Sequence, residues 1–244
     1  MLVMGHPQFQ TQDDMGLGDG IPPIPEWQLD STSSQEGLFE FPGVEVDETV
    51  MNVFIRLRNV FQLTQRIPLT PTRLHDLTCF VIHRLLLSAP DATSADASPP
   101  MTECIRYAIV LYMFITQGPT YFSHVVIFNM IVNRFMHHLG RLELNRRAHD
   151  SLDVWLLAVG LAASAGTAQY PWFTERARVI ASSIPLISWN EVLVYLKSVL
   201  WLDTPQGQEI FQMHWNAILN GQNPLGLPRL TACVSPGSTG PGSI

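Results

Sequence analysis

The residues best suited to metal chemistry in this sequence are its histidines, and their spacing argues against a shared ion. His137 and His138 are adjacent in a segment of helical periodicity. Neighbouring residues of a helix point about 100° apart, so the two rings cannot bind one ion together. His75 and His83 are too far apart along a helix to do so. We therefore expect neither a metal site nor a bound cofactor.

Carboxylates and glycine-rich turns also fail to form a catalytic pattern. Asp13 and Asp14 begin the segment DDMGLGDG, which has neither the lysine of a phosphate-binding loop nor the ligand spacing of a calcium loop. The sequence after residue 48 contains no aspartate-rich motif and no G-x-S-x-G nucleophile turn. We predict no catalytic residues and expect that the protein is not an enzyme.

The cysteines indicate a compartment and exclude a class of zinc site. Cys79, Cys104 and Cys233 are far apart and odd in number, and no C-x-x-C pair occurs. This pattern supports neither a cysteine-ligated zinc cluster nor a disulfide scaffold. Unpaired cysteines are typical of a reducing compartment.

Charge is distributed unevenly along the 244 residues, whose net charge is −7. Residues 1–48 carry ten acidic residues and no lysine or arginine, whereas residues 49–244 carry eleven acidic and fourteen basic residues. An acidic protein with a weakly basic body is not expected to bind nucleic acid directly. The longest apolar run, IRYAIVLYMFI from Ile105, is too short to span a bilayer. We therefore expect protein partners.

Residues 1–48 are rich in Gly, Pro, Asp, Gln and Ser and show no sustained periodicity, which predicts an acidic disordered tail. Its carboxylates are interleaved with aromatic residues, a composition typical of acidic activation segments. Trp27, Phe39 and Phe41 are accordingly predicted to be exposed and to contact a partner. The alternative interpretation is a disordered, solvating tail that does not contact a partner.

The segments that contain most of these residues are predicted to be helical. From residue 49 to 220, apolar residues recur at helical spacing in about eight segments, and no alternating strand pattern is present. This predicts an all-α single domain over residues 49–220, followed by a Pro/Gly/Ser-rich tail over residues 221–244. The segment from Asp150 carries small residues, including Gly160, that would let a neighbouring helix approach closely. Ser188 and Glu191 have the spacing of a capping box.

Two groups of residues leave alternatives open. Trp189 and Trp215 lie on apolar stripes, where packing in the core is the simpler explanation and a small-molecule pocket is the other. Glu103 and Arg106 begin the most apolar helix. They form a surface i,i+3 pair or a partly buried pair that orients the helix, or else Arg106 reaches a carboxylate on another helix.

Four segments, in order, resemble the fungal-specific transcription factor domain, the helical regulatory region that follows a zinc binuclear cluster in many fungal transcription factors. They are ECIRYAIVLYMFI from Glu103, LDVWLLAVGLAASAG from Leu152, YPWFTERA from Tyr170 and ISWNEVLVYLKSVLWLD from Ile187. The resemblance covers roughly residues 70–215. The positions that match the family pattern are Glu103, Cys104, Arg106, Ala108, Trp155, Leu157, Val159, Gly160, Ala163, Pro171, Trp172, Phe173, Ser188, Trp189, Glu191, Leu200 and Trp201.

This resemblance implies a transcription regulator-like protein of the nucleus, or otherwise of the cytoplasm, that controls a fungal metabolic or secondary-metabolite gene cluster. The six-cysteine cluster and the basic stretch of such factors have no counterpart here, so the resemblance does not extend to the residues that read DNA. The expected mode of action is therefore through a transcription factor or coactivator as partner. The competing hypothesis is an all-α small-molecule-binding protein or an accessory enzyme of a biosynthetic pathway.

Overall fold

The fold is built from α-helices in every part of the chain that the structure describes. The computed structural model describes residues 9, 11–13, 15, 20–29, 45–65, 68–88, 98–118, 125–142 and 150–221. Within these residues there are nine α-helices and no β-strand, which confirms the predicted all-α fold class. The helices are α1 (Pro25–Leu29), α2 (Glu48–Thr64), α3 (Pro71–Leu87), α4 (Pro100–Gln117), α5 (Val125–Gly140), α6 (Asp150–Ser164), α7 (Tyr170–Ser183), α8 (Trp189–Val199) and α9 (Pro205–Leu219).

Side-chain caps fix where several helices begin. The Asp47 carboxylate accepts hydrogen bonds from the N–H groups of Thr49 and Val50 at the start of α2, and the Thr70 hydroxyl accepts one from the N–H of Arg73 at the start of α3. Both halves of the capping box formed by Ser188 and Glu191 are present at α8, as predicted. Because the first four N–H groups of a helix lack internal partners, these caps define the helix starts independently of packing.

Helices α4 and α6 form the centre of the fold. Helix α4 packs against α2, α3, α5, α6 and α9, and helix α6 packs against α5, α7, α8 and α9 as well. Most side chains of both helices are buried, in agreement with their apolar sequences. Among the described residues, no helix is both long enough and apolar enough to cross a membrane.

The approach of α7 to α6 depends on a glycine. A Cβ atom built on Gly160 would lie 2.2 Å from a ring carbon of Phe173. Phe173 is fully buried and stacks on Phe135 of α5. The expectation that small residues of α6 admit a close neighbour is thus confirmed, and the neighbour is the Phe173 ring.

The tryptophans on the helical stripes belong to the core. Trp215 is fully buried and Trp189 is 7% exposed, which confirms the packing interpretation of both residues. The buried indole of Trp155 donates a hydrogen bond to the backbone oxygen of Leu200 at 2.9 Å. The hydroxyl of Tyr112 accepts one from the backbone N–H of Leu202 at 2.8 Å. The polar ends of these two aromatics therefore tie the segment after α8 to α4 and α6.

Glu103 and Arg106 form a buried pair that positions α4 on α3. Their exposed fractions are 8% and 5%, and Arg106 Nε lies 3.3 Å from a carboxylate oxygen of Glu103. The guanidinium also donates hydrogen bonds to the backbone oxygen of Leu85 and to both the hydroxyl and the backbone oxygen of Ser88. Of the three alternatives, the buried pair is correct, and the guanidinium also binds the carbonyl end of α3.

The prediction that residues 1–48 lack structure is wrong for residues 20–29. This segment contains α1, which packs against α2, and the side chains of Ile24 and Trp27 are buried in the core. The apolar area that these two residues bury offsets the entropy of ordering a short, proline-rich segment. Phe39, Phe41 and residues 222–244 lie outside the described residues.

Candidate partner-binding site

The most distinctive contact in the fold is the docking of Trp27 on α2 and α3. Its indole is 0% exposed and lies edge-on to Phe80 of α3, with ring centroids 5.0 Å apart. The guanidinium of Arg56, on α2, lies 5.9 Å from the Trp27 ring centroid, within the range of a cation–π contact. Trp27 therefore anchors α1 across both helices.

A carboxylate next to the anchor pairs with α3. Arg73, in the first turn of α3, forms an ion pair with Glu26, whose side chain is 16% exposed whereas that of Arg73 is 49% exposed. The exposure of Arg73 limits the stabilisation that this pair provides, because solvent screens it. The pair orients α1 relative to α3.

The contacts continue toward the N-terminus. The side-chain amide of Gln12 donates a hydrogen bond to the backbone oxygen of Phe80 at 3.2 Å, and Arg84 donates one to the backbone oxygen of Gln12 at 3.0 Å. Phe9 donates its backbone N–H to Nε2 of His83 at 3.0 Å. We call the described residues from 9 to 29 the N-terminal strap. The strap runs antiparallel to α3, since Phe9 lies at His83 and Glu26 lies at Arg73.

The surface beneath the strap combines aromatic and basic character. We call it the strap groove and define it by Arg56 of α2 and Arg73, Phe80, His83 and Arg84 of α3. The strap itself carries acidic residues and no lysine or arginine. Charge complementarity therefore accompanies the buried aromatic contact.

His83 is the titratable group at the far end of the strap groove. It is fully buried, and its ring also contacts that of Phe9, with centroids 5.6 Å apart. Burial lowers the pKa of His83, and the neighbouring charge of Arg84 lowers it further. Because Nε2 accepts the hydrogen bond from Phe9, the docked imidazole is neutral, with its proton on Nδ1.

Docking of the strap leaves polar atoms of both the strap and the strap groove without partners. Glu26 Oε2, Gln12 Oε1 and His83 Nδ1 are buried and have no hydrogen-bond partner among the described residues. A buried polar atom without a partner costs about 1–3 kcal/mol relative to its hydrated state. The affinity of the strap for its groove is therefore lower than the burial of Trp27 alone would give.

Of the three predicted partner-contact residues, the structure describes only Trp27. The expectation that Trp27 is exposed is wrong. The large apolar area that its indole buries in the strap groove stabilises the docked state more than hydration of the neighbouring carboxylates stabilises an undocked state. Phe39 and Phe41 lie outside the described residues, so their role stays a prediction. Sequence reasoning missed the groove itself, since Arg56, Arg73 and Phe80 lie in two helices whose packing no periodicity reveals.

A second side-chain cluster has the composition of a nucleophile site but not its electrostatics. Cys79 Sγ lies 3.7 Å from Nε2 of His75, and Nδ1 of that ring contacts the side-chain amide of Gln117. The i,i+4 spacing of the first two residues could have indicated this pair. However, burial and the charge of Asp76 raise the pKa of the Cys79 thiol. Since the thiolate is the reactive form, the cluster is not an activated nucleophile.

A third polar pair belongs to the core. The Tyr170 hydroxyl and Nδ1 of His214 are 3.0 Å apart, and both residues are buried. Burial raises the pKa of Tyr170 and lowers that of His214, so both groups stay neutral near pH 7. The pair links α7 to α9.

Two further candidate sites are the adjacent histidines of α5 and a cavity beside α9. His137 is exposed, whereas His138 is half-buried and stacks on Tyr107, with the two histidine rings at 84° to each other. No group of three or more His, Cys, Asp or Glu side chains in the described part of the chain is arranged to hold a metal ion. A cavity of about 440 Å³ follows the outer face of α9 and is open to solvent. It is lined by Pro205, Gln208, Glu209, Gln212, Met213 and Asn216.

Comparison with known proteins assigns no family. No protein-family model matches the chain, and neither a curated protein nor a solved structure matches it significantly. Of the features described above, the strap and its groove combine a buried aromatic anchor, an ion pair and charge complementarity, the properties of an interface between partners.

Proposed function

We propose that the chain is a transcription regulator-like protein without its own DNA-binding module, which acts through a protein partner and does not catalyse a reaction. The observation that supports this proposal is the docking of Trp27 on α2 and α3. There an acidic, aromatic helix is held by arginine and phenylalanine side chains of α2 and α3. A body that recognises such a helix is suited to binding proteins.

The transcriptional part of the proposal is supported by sequence. The four segments that resemble the fungal-specific transcription factor domain fall on α4, α6, α7 and α8, and the matching residues Arg106, Gly160 and Trp189 have buried packing roles. By analogy with that family, the proposed location is the nucleus and the proposed targets are genes of fungal metabolism or secondary metabolism.

A reporter assay tests the proposal. The full chain fused to a heterologous DNA-binding domain should activate transcription, because recruitment requires only the partner. Replacing Phe39 and Phe41 together with alanine should lower activation while the charge is unchanged. Trp27 is left intact, since its replacement would also disturb the docked strap.

Binding to DNA provides the complementary measurement. The unfused chain, titrated with duplex DNA at physiological salt, should bind weakly and without sequence preference, given its net charge of −7. A silent fusion, or submicromolar sequence-selective binding by the unfused chain, would each refute the proposed function.

A further inference from the structure

We infer that the strap groove is a docking site for a short helix of another protein, one that carries an aromatic residue directly after a carboxylate. In the structure the strap occupies this site as an internal ligand. The inference rests on the proposed function, because it specifies the chemistry of the partner that the proposal invokes.

The groove recognises three features of its occupant. Phe80 provides an apolar contact for one aromatic ring, Arg56 adds a cation–π contact on that ring, and Arg73 binds the preceding carboxylate. In the strap these features are supplied by Glu26 and Trp27, which are consecutive. An aromatic anchor and a charged neighbour are the usual dominant contributors to a helix-in-groove interface.

The occupant of the groove is suited to exchange. Glu26 Oε2, Gln12 Oε1 and His83 Nδ1 are buried without partners among the described residues, and each would be hydrated if the strap left. The Glu26–Arg73 pair is itself partly exposed. The strap therefore relies on being part of the same chain, which gives it a high effective concentration, and an external helix with better-satisfied polar groups can replace it.

Affinity for a strap peptide tests this inference. The probe is a fluorescein-labelled peptide of residues 20–29, GIPPIPEWQL, titrated by fluorescence anisotropy into the full chain and its variants. In Trp27→Ala and Glu26→Arg chains the internal ligand is weakened by loss of its anchor or of its ion pair. Both should bind the peptide at least about tenfold more tightly than the unaltered chain, whose groove is occupied.

Matched peptides and groove variants establish where binding occurs. A peptide with alanine in place of its tryptophan should not bind any chain. An Arg73→Glu chain, in which the new carboxylate repels Glu26 of its own strap, should fail to bind the original peptide and should bind a peptide whose glutamate is replaced by arginine. Circular dichroism confirms that each variant is folded, and the charge variants keep the test valid if Trp27→Ala unfolds.

Three results would overturn the inference. They are equal peptide affinities for the unaltered chain and its folded strap variants, no peptide binding by any folded variant, and dimers formed by exchange of straps, which would assign the groove to a second copy. The reporter assay is independent of this one. A silent reporter with intact peptide exchange refutes only the proposed function, and an active reporter without exchange refutes only the docking site.

Discussion

At the scale of single residues, Arg106 shows how one buried charge is satisfied. Its guanidinium binds Glu103 within α4 and three oxygen atoms at the end of α3, while 5% of the residue remains exposed. The last carbonyl groups of a helix need partners outside it, and here an arginine from the next helix provides them. The packing of α4 on α3 therefore depends on this side chain.

We predict that Arg106→Ala lowers the free energy of unfolding by about 3–5 kcal/mol, because it leaves the Glu103 carboxylate buried without its partner. The chain contains a matched control. Arg178 and Glu175 have the same i,i+3 spacing, but their side chains are 36% and 73% exposed and their charged atoms are 3.7 Å apart. Arg178→Ala should change stability by less than about 0.5 kcal/mol, so equal effects in urea denaturation would contradict this account.

The sequence predicted some of these residues and not others. The capping box of Ser188 and Glu191 was predictable because it is local in sequence. For Glu103 and Arg106 the pairing was predictable but the burial was not, since burial depends on the position of the α3 carboxyl end. The groove contacts of Trp27 join segments far apart in the chain, and no pattern within either segment predicts them.

At the scale of elements, the contact between α6 and α7 is set by Gly160. The Phe173 ring occupies the space that a Cβ atom would take. Small residues in this part of α6 were visible in the sequence, which predicted a close helix contact. Which ring fills the space was not predictable, because it depends on the rotation of α7.

We predict that Gly160→Ala destabilises the fold by about 1–3 kcal/mol or more, because neither the buried ring nor the helix backbone can move freely. Gly140→Ala is the control, since a Cβ atom there would meet Trp172 at an ordinary distance of 3.6 Å. That change should be neutral or slightly stabilising through helix propensity. Thermal melts of both variants measure this difference in stability. Similar melting temperatures would exclude a role for the Phe173 contact.

At the scale of the whole molecule, two buried histidines and one half-buried histidine couple stability to pH. Burial lowers the pKa values of His83, His138 and His214 below the ordinary value of about 6.5. The unfolded chain therefore binds more protons than the folded chain below that pH. Each histidine contributes stability that is present above about pH 6.5 and lost as pH falls through its lowered pKa.

We predict that the free energy of unfolding decreases between pH 7.5 and pH 5.5, and that His214→Gln weakens this dependence. Met213, an exposed residue of the same helix, provides the control, because Met213→Gln removes no titratable group and should leave the slope unchanged. Chemical denaturation at several pH values measures both slopes. A profile that is flat over this range, or one that Met213→Gln and His214→Gln alter equally, would contradict the assignment.

The helical architecture was predictable because apolar periodicity persists over most of residues 49–220. The strap was not, since one tryptophan and a few prolines in an acidic segment show no periodicity, and their apolar area matters only once α2 and α3 are packed. The helices follow from local periodicity, whereas the strap depends on packing between residues that are distant in the sequence. That packing decides whether Trp27 is available to a partner or already bound.

The most direct test of this account is the environment of Trp27 in solution. The full chain labelled with 5-fluorotryptophan gives one ¹⁹F resonance for each of its six tryptophans, and the spectrum of Trp27→Phe assigns the Trp27 signal. The side chain is 0% exposed in its groove. Its resonance should therefore show no shift between H₂O and D₂O. A full solvent-isotope shift of an exposed indole at Trp27 would show that the strap is undocked and would contradict the account.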